Sequence, residues 1–297
     1  MTTSRRQHVI GSAYVIAAIT AWGAYFPFAK IILLKLSPVV FLVFRLGIGA
    51  AVLLAMNARF GKSFATKRSD LVVVVLAGLI GVVAHQLLQV TGLKFTTATN
   101  VGWTLTIIPP VTGLLGWIFL KERIALAQVA GLIVAMIGVV FFISRGRPTQ
   151  LSMSGNAGDL LALASVFSWS IYTVVTKSRL SSYDPLPVST IHMGLGFFAF
   201  LLIGAWDIPA QIPALTMSDW FVIIVIGIVP SGLAYYWWNA GLQRLSAVNT
   251  STFLFVEAIV ASVAGFILLG ERFTATMIFA AAIIILGVSV TQLRRGR

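Results

Sequence analysis

Apolar stretches of about 20 residues recur along this chain, and they limit the folds open to it more than any other feature. One of them, FLFVEAIVASVAGFILLGER, runs from Phe253 to Arg272 and holds a carboxylate, that of Glu257, well inside it. A helix that crosses a bilayer needs about 20 apolar residues, whereas strands of membrane barrels need about ten with alternation. Only 10% of the residues are charged, against about 25% in soluble domains. The sequence therefore predicts an all-α membrane protein.

The lengths and apolar content of these stretches predict ten transmembrane helices. They cover residues 9–31, 38–57, 71–93, 98–120, 126–143, 158–178, 186–206, 219–242, 248–269 and 275–292. The first stretch is longer than the core of a signal peptide and no small-residue cleavage site follows it, so we expect it to be retained as a span. The clearest polar break, residues 144–159, divides the chain almost in half.

The two halves resemble each other in sequence. A shift of 147 residues places Trp22 on Trp169, and from the third span onward a shift of 149 places Gly92 on Gly241. We predict an internal duplication, with residues 1–147 as the first five-helix repeat and 148–297 as the second. Because five is an odd number, the second repeat must enter the membrane from the opposite side. The sequence thus predicts two inverted repeats, an arrangement that many secondary transporters share, with a site near the midplane.

The distribution of Lys and Arg predicts the orientation. Fourteen of the 21 basic residues fall on the side of the N-terminus and six on the other, with Arg45 inside the second span. Basic loops stay in the cytoplasm, so both termini are predicted to be cytoplasmic. The net charge of +13 has the same explanation, and since no basic domain lies outside the spans, nucleic acid is not an expected partner.

Several kinds of chemistry lack the residues they need. Cys is absent, which excludes disulfides and thiolate metal sites. Gly61-Lys62-Ser63 looks like the end of a phosphate loop, but Met56 stands where that loop needs Gly. No second His or acid adjoins His85, whereas zinc needs at least three protein ligands. We expect no metal, no cofactor and no enzymatic activity, and transport driven by a gradient of substrate or ions rather than by ATP.

Each half ends its fourth span with a related motif, IIPPVTGLLGWIFLKER in the first and FVEAIVASVAGFILLGER in the second. These motifs resemble those of the drug/metabolite transporter superfamily, specifically the ten-helix EamA-type permeases, over nearly the whole chain. Within that group the chain is similar to bacterial exporters of aromatic and other amino acids. The resemblance implies export of small metabolites across the bacterial inner membrane. It also implies a central cavity inside the first four helices of each repeat, with the fifth and tenth helices at the periphery.

Polar and aromatic side chains share single faces of several spans. His85 and Gln89 are one helical turn apart, and Gln86 lies within the same arc of about 100°. The predicted substrate-binding residues are Trp22, His85, Gln86, Gln89, Trp103, Trp169, Tyr172, Tyr235, Trp238 and Glu257. The alternative is that the aromatic residues form belts at the membrane surface and the amides join helices.

The charged residues inside and at the ends of the spans leave several roles open. An acid at the helix centre costs about 2.5–3.5 kcal/mol on insertion, so Glu257 is not expected to face lipid. It either binds the ammonium group of a substrate or a proton, or it ties the ninth span to another helix. Arg45 could serve transport, snorkel to the outer edge or pair with an acid. Glu122 and Glu271, at span ends, are predicted to be structural.

The predicted function is that of a secondary transporter or facilitator that exports small metabolites, with aromatic and other neutral amino acids as the favoured substrates. The alternatives are efflux of drugs or other amphipathic solutes, flipping of lipid-linked sugars and, more remotely, an intramembrane enzyme. The expected partners are a small-molecule substrate and membrane lipid. The oligomeric state stays open, with a monomer as one option.

Overall fold

The protein is helical throughout the part that the computed structural model describes, which comprises residues 3–64, 66–122, 124–143, 157–270 and 275–292. Ten long helices follow one another there: α1 (Thr3–Ile32), α2 (Pro38–Phe60), α3 (Arg68–Phe95), α4 (Ala98–Leu120), α5 (Leu126–Ile143), α6 (Ala157–Leu180), α7 (Pro185–Gly204), α8 (Met217–Arg244), α9 (Ala247–Leu269) and α10 (Ala275–Gln292).

Eight of these helices are long and apolar enough to cross a membrane. The apolar stretches described in α5 and α10, Leu126–Gly138 and Ile278–Thr291, are shorter. The prediction of an all-helical membrane protein is therefore confirmed, together with eight of the predicted spans. Glu271 and residues 144–156, which form most of the predicted polar break, lie outside the described residues.

The ends of α4 and α9 repeat the same local chemistry. The hydroxyls of Thr97 and Ser246 each accept a hydrogen bond from the backbone N–H three residues further on, at 3.0 and 3.1 Å. Such N-caps satisfy backbone donors that the first turn of a helix leaves unpaired. Both helices are followed by a left-handed residue, Lys121 with φ of 53° and Gly270 with φ of 67°. Since only glycine adopts this conformation without steric cost, the second repeat has the less strained ending.

Irregular turns interrupt four of the long helices near their middle. A π-helical turn spans Leu79–Ala84 in α3 and another spans Gly227–Leu233 in α8, at positions that correspond under the shift of 149. α4 contains a 3₁₀ turn at Leu105–Ile107, and α9 has a break at Phe253. At membrane depth, non-helical backbone is tolerated where it is buried in protein or lines a cavity. These turns therefore indicate where a site lies.

Each helix of the first half packs against the same kind of partner as the corresponding helix of the second half. α1 packs on α8 and α9, and α6 packs in the same way on α3 and α4. α2 packs on α7, and α5 packs on α10. Close crossings also correspond, since Gly11 meets Gly241 between α1 and α8, and Gly158 meets Gly92 between α6 and α3. The most extensive helix contacts thus join one half of the chain to the other.

A lysine holds the end of a neighbouring helix in each half. The Lys30 ammonium donates to the carbonyls of Leu93 and Thr96 at 2.7 and 2.6 Å, where α3 ends. Lys177, its counterpart, donates to the carbonyl of Leu242 at 2.8 Å, near the end of α8. The last carbonyls of a helix lack intrahelical partners and attract cations. Because α6 begins beside the end of α3, the two lysines lie at opposite ends of the bundle, called the Lys30 end and the Lys177 end below.

The helices α5 and α10 pack against each other at the periphery, where the resemblance implied that they lie. A Cβ added to Gly287 would lie 2.5 Å from the backbone nitrogen of Ala135 and 2.7 Å from the carbonyl oxygen of Gly131. The glycines therefore let the two backbones meet. The outer faces carry exposed apolar side chains, among them Ile133 and Ile278, as expected of helices that face lipid.

We expect Gly287→Ala to destabilise the protein, because the added Cβ must push two backbones apart. Overpacking of this kind costs about 1–3 kcal/mol, and each kcal/mol lowers the unfolding midpoint by about 2–4 °C in chains of this size. Gly194→Ala in α7 is the matched control, because a Cβ there meets nothing within 4 Å. Thermal unfolding in detergent measures both variants, and equal midpoints would contradict the close contact.

The carboxylate of Glu122 caps the start of α9. Its Oε1 accepts a hydrogen bond from the backbone N–H of Ala247 at 3.0 Å, and its Oε2 accepts one from Val248 at 3.5 Å. A negative charge at a helix N-terminus is favourable, since unpaired N–H groups and the helix dipole both point to it. The contacts agree with the structural role predicted for Glu122 and join the end of one repeat to the fourth helix of the other.

Glu122→Gln should lower the amount of folded protein in the membrane rather than the rate per folded molecule. Hydrogen bonds to a charged group contribute about 1.5–3 kcal/mol each, and a neutral amide oxygen replaces only part of that. Yield after membrane extraction, together with transport normalised to folded protein, separates the two effects. Normal yield with slow transport would show that the role assigned to Glu122 is wrong.

Candidate functional site

A narrow cavity lies inside the bundle, at the level of the irregular turns, and seven helices line it. Its wall consists of Trp22, Tyr25, Phe26, Arg45, His85, Gln86, Gln89, Leu105, Ile108, Trp169, Tyr235, Leu254 and Glu257. Aromatic and aliphatic side chains predominate, with a few polar groups, one basic residue that is always charged, Arg45, and one acid, Glu257. Cavities of this composition are typical of sites for small organic molecules.

Packed aromatic rings form one wall of the cavity. The ring of Trp22 lies 5.2 Å from that of Trp169 and 5.5 Å from that of Tyr235, in edge-to-face contacts. The ring of His85 lies 4.8 Å from Trp169. Trp238 packs against both indoles, at 5.5 and 5.4 Å, without lining the cavity. Edge-to-face geometry stabilises aromatic pairs beyond the area they bury, so this wall is a preformed apolar surface.

Arg45 brings a positive charge to the cavity from α2. Its Nε donates to the hydroxyl of Ser231 at 2.7 Å, and an Nη atom donates to the side-chain oxygen of Gln86 at 3.0 Å. Its guanidinium carbon lies 4.1 Å from the ring centre of Tyr25, a cation–π contact. Arg45 is only 1% exposed, and within the described ranges no carboxylate forms an ion pair with it. The structure thus puts the charge at the cavity rather than at the membrane edge.

Glu257 brings a carboxyl group to the cavity from α9. The residue is 2% exposed, and its Oε2 has no hydrogen-bond partner in the described part of the chain. The indole N–H of Trp169, also in the wall, is buried and equally lacks a partner among the described residues. Buried polar groups are nearly always hydrogen-bonded. One acceptor and one donor at the cavity surface therefore remain available to a bound molecule.

Most of the predicted site residues meet at this cavity. Those that line it are Trp22, His85, Gln86, Gln89, Trp169, Tyr235 and Glu257. Tyr172 and Trp238 pack directly behind the wall, where the Tyr172 ring lies 5.0 Å from that of Trp169 and its hydroxyl donates to Asn239 at 3.1 Å.

Trp103 lies elsewhere, contrary to the prediction that it faces the cavity. Its indole N–H donates to the hydroxyl of Ser262 at 3.1 Å, and its ring belongs to an apolar cluster with Phe255 and Ile284. That cluster joins α4 to α9 and α10. A buried helix packs on several neighbours at once, and helical spacing alone does not tell which of its faces meets the cavity.

Six lining residues stand outside the predicted set: Tyr25, Phe26, Arg45, Leu105, Ile108 and Leu254. The repeat register carries a signal for some of them. The shift of 149 places Ile108 on Glu257, and Tyr25 follows Trp22 by about one turn of the same helix. Leu254 and Leu105 are ordinary apolar residues that only the three-dimensional packing identifies.

We expect Trp169→Phe and Trp103→Phe to have opposite signatures. Trp169→Phe removes cavity surface and a free N–H, which should lower transport about tenfold, the equivalent of about 1.4 kcal/mol. Trp103→Phe removes a hydrogen bond from the cluster outside the cavity, so it should lower the unfolding midpoint while transport per folded molecule stays within about twofold. Both variants are measured for thermal unfolding and for transport in liposomes. Equal loss of transport would contradict the location of the cavity.

The chain is similar to known transporters over most of its length. It is 28% identical over 269 residues to "Uncharacterized transporter YyaM" of Bacillus subtilis (strain 168), a match that covers 90% of this chain and 88% of that protein. It is 25% identical over 260 residues to a "Probable terminal-alkyne amino-acid exporter" of Streptantibioticus cattleyicolor, with 86% and 84% covered. A solved crystal structure with 21% sequence identity has the same fold, with a TM-score of 0.76 over 97% of this chain and 96% of that one.

The sequence model of one family matches the chain twice, at residues 9–144 and 156–293. Its description is "EamA-like transporter family", and the two matches fall one in each half of the chain. The family that the fourth-span motifs suggested is thereby confirmed. The chain belongs to the EamA-like transporter family.

Proposed function

We propose that this protein is a secondary transporter that exports aromatic and other neutral amino acids across the bacterial inner membrane. It crosses the membrane ten times as two inverted repeats, and both termini are cytoplasmic. The substrate binds in the central cavity, in contact with Trp22, Trp169 and Tyr235. Arg45 and Glu257 meet its two charged groups.

The observation that carries this proposal is that Arg45 and Glu257 line the same aromatic-walled cavity. Charges at membrane depth are costly, and they are usually kept for a function. A neutral amino acid carries one carboxylate and one ammonium group, so it complements a cavity with one cation and one acid. Its side chain would lie against the indoles. A cationic drug complements Glu257 but is repelled by Arg45, which favours the zwitterion.

The composition of the cavity wall supports a small amphipathic solute. Aromatic and aliphatic side chains predominate in the wall, together with one cation and one acid. The headgroup of a lipid-linked sugar would need many polar partners and a lateral opening. The wall therefore favours amino-acid export over lipid flipping. The name of the Streptantibioticus relative, an amino-acid exporter, points the same way.

The packing supports the inverted repeats. A rotation that exchanges the two halves would map α1 on α6 and α3 on α8, and it would carry Lys30 from one end of the bundle to Lys177 at the other. This is the relation expected of a pseudo-two-fold axis in the membrane plane. The excess of basic residues on the N-terminal side supports cytoplasmic termini.

Counterflow into liposomes tests the proposal. Purified protein is reconstituted, the liposomes are loaded with unlabelled solute, and uptake of labelled phenylalanine, leucine, a nucleoside and a cationic drug is followed with and without a pH gradient. We expect phenylalanine and leucine to exchange and the nucleoside to fail. Exchange of the cationic drug alone would replace amino-acid export by drug efflux, and chemical change of a solute would indicate an enzyme.

A further inference from the structure

Some of the residues that line the cavity occupy corresponding positions in the two repeats, and the others come from one repeat alone. Four pairs of lining residues correspond under the repeat register: Trp22 with Trp169, Gln86 with Tyr235, Leu105 with Leu254, and Ile108 with Glu257. The other lining residues all come from the first repeat: Tyr25, Phe26, Arg45, His85 and Gln89. They lie toward the ends of α1 and α3 and toward the start of α2. The cavity thus extends from the centre toward the Lys30 end.

The counterparts of these five residues lie in the second repeat and are called the second cluster below. Its members are Tyr172, Thr173, His192, Ala234 and Trp238, all of them fully buried and none of them in the cavity wall. The ring of Tyr172 lies 5.5 Å from that of His192. The cluster lies toward the Lys177 end, since it occupies the second half of α6 and α8 and the first half of α7.

Trp22 and Trp169, the corresponding tryptophans of the cavity wall, also differ between the repeats in the hydrogen bonds of their indole N–H groups. The indole N–H of Trp22 donates to the carbonyl of Pro230, in the π-helical turn of α8, at 2.8 Å. The shift of 149 pairs Pro230 with Gly81, in the π-helical turn of α3, so Gly81 is the corresponding acceptor for Trp169. The Trp169 N–H nevertheless has no partner among the described residues. The ring of Tyr172 packs against Gly81, where an added Cβ would overlap that ring. The described residues thus make in one half a hydrogen bond that they lack in the other.

We propose that the second cluster becomes the cavity wall when the protein opens toward the Lys177 end, and that Trp169 and Trp22 then exchange roles. Tyr172 leaves Gly81, the Trp169 indole donates to the Gly81 carbonyl, and the Trp22 bond to Pro230 breaks. On that side the substrate meets Tyr172, His192 and Trp238. This inference rests on the proposed inverted repeats and on two-sided access to one site.

The absence of Cys from the chain gives a direct test, since a single introduced thiol is the only group that thiol reagents label. Thr173→Cys reports on the second cluster, and Phe26→Cys reports on its counterpart at the Lys30 end. Ala280→Cys, buried between α5 and α10, is the control that should stay unlabelled. A charged methanethiosulfonate reagent is applied to intact cells, which present the outer face, and to inside-out vesicles, which present the cytoplasmic face.

We expect Phe26→Cys to react in cells and Thr173→Cys to react in inside-out vesicles, faster when a phenylalanine gradient drives transport. In the Thr173→Cys protein, Trp22→Phe removes a bond of the present conformation and should raise the labelling rate about fivefold. Trp169→Phe removes the bond of the other conformation and should lower the rate by a similar factor, as expected for the loss of one hydrogen bond from either state. Changes of the labelling rate in opposite directions indicate that the two tryptophans exchange roles, whereas a general loosening of the protein would raise the rate in both variants.

Ala234→Cys, a near-isosteric second reporter, takes the place of Thr173→Cys if that variant does not fold. The inference is overturned if both reporters stay unlabelled while the same vesicles transport phenylalanine, or if Trp22→Phe and Trp169→Phe shift labelling in the same direction. Labelling with opposite signs but without phenylalanine transport would leave the inference standing and would refute the proposed substrate instead.

Discussion

Glu257→Gln should abolish most transport of phenylalanine while leaving the protein folded. Glutamine keeps the size of the side chain and removes its ability to carry a negative charge. Oε2 of Glu257 makes no hydrogen bond with the described residues that could be lost. We expect transport to fall at least about tenfold, or about 1.4 kcal/mol of substrate interaction. Yield and unfolding midpoint should stay unchanged. Counterflow in liposomes and thermal unfolding in detergent give the two readings.

Glu122→Gln is the matched control for this result, because it makes the same chemical change outside the cavity. It should reduce folded protein and spare transport, the reverse of the pattern for Glu257→Gln. If Glu257→Gln transported at the wild-type rate with unchanged pH dependence, the carboxyl group would have to be structural, and the charge complementarity behind the proposed substrate would be lost with it.

Arg45→Met should have the largest effect of any single change in the cavity, a loss of transport of about a hundredfold, or about 2.8 kcal/mol. The guanidinium contacts Ser231, Gln86 and Tyr25, besides the role proposed for its charge in binding a substrate carboxylate. Arg45→Lys keeps the charge but loses the planar fork, so an intermediate loss of about tenfold is expected. Because Arg45→Met also removes hydrogen bonds, its unfolding midpoint is measured beside transport.

Substrate analogues that lack one of the two charged groups test separately whether Arg45 binds the carboxylate and whether Glu257 binds the ammonium group. Phenethylamine lacks the carboxylate of phenylalanine, so its transport should be insensitive to Arg45→Lys and remain sensitive to Glu257→Gln. Phenylpropionate lacks the ammonium group and should show the opposite pattern. Identical responses of both analogues to both variants would refute the assignment of carboxylate to Arg45 and ammonium to Glu257.

The apolar stretches alone predicted where the helices lie, because the bilayer imposes one length and one polarity on every span. The predicted bounds 98–120 coincide with those of α4. What the stretches do not encode is the winding inside them. The π-helical turns of α3 and α8 rotate the residues that follow, and no local composition distinguishes Leu79–Ala84 from an ordinary helical segment.

The candidate site was predictable in its chemistry but not in its extent. Polar side chains inside spans are expensive, so His85 and Glu257 could be recognised without a structure. Trp103 was misplaced because an aromatic residue on a helix buried on all sides fits a packing cluster as well as a cavity. Arg45 stood out by its charge, but its partner Ser231 is 186 residues away in the chain, and no local pattern joins the two.

The contact between α5 and α10 lies apart from the cavity, so the residues that hold the two halves together there are not the residues that form the cavity wall. These helices join the two halves of the molecule through glycines at its edge, and their described side chains contribute nothing to the cavity wall. A new substrate can therefore be selected by changes in the other helices without weakening that attachment. This architecture favours functional divergence, since the cavity residues that set substrate specificity can change while the contact between the two halves is kept.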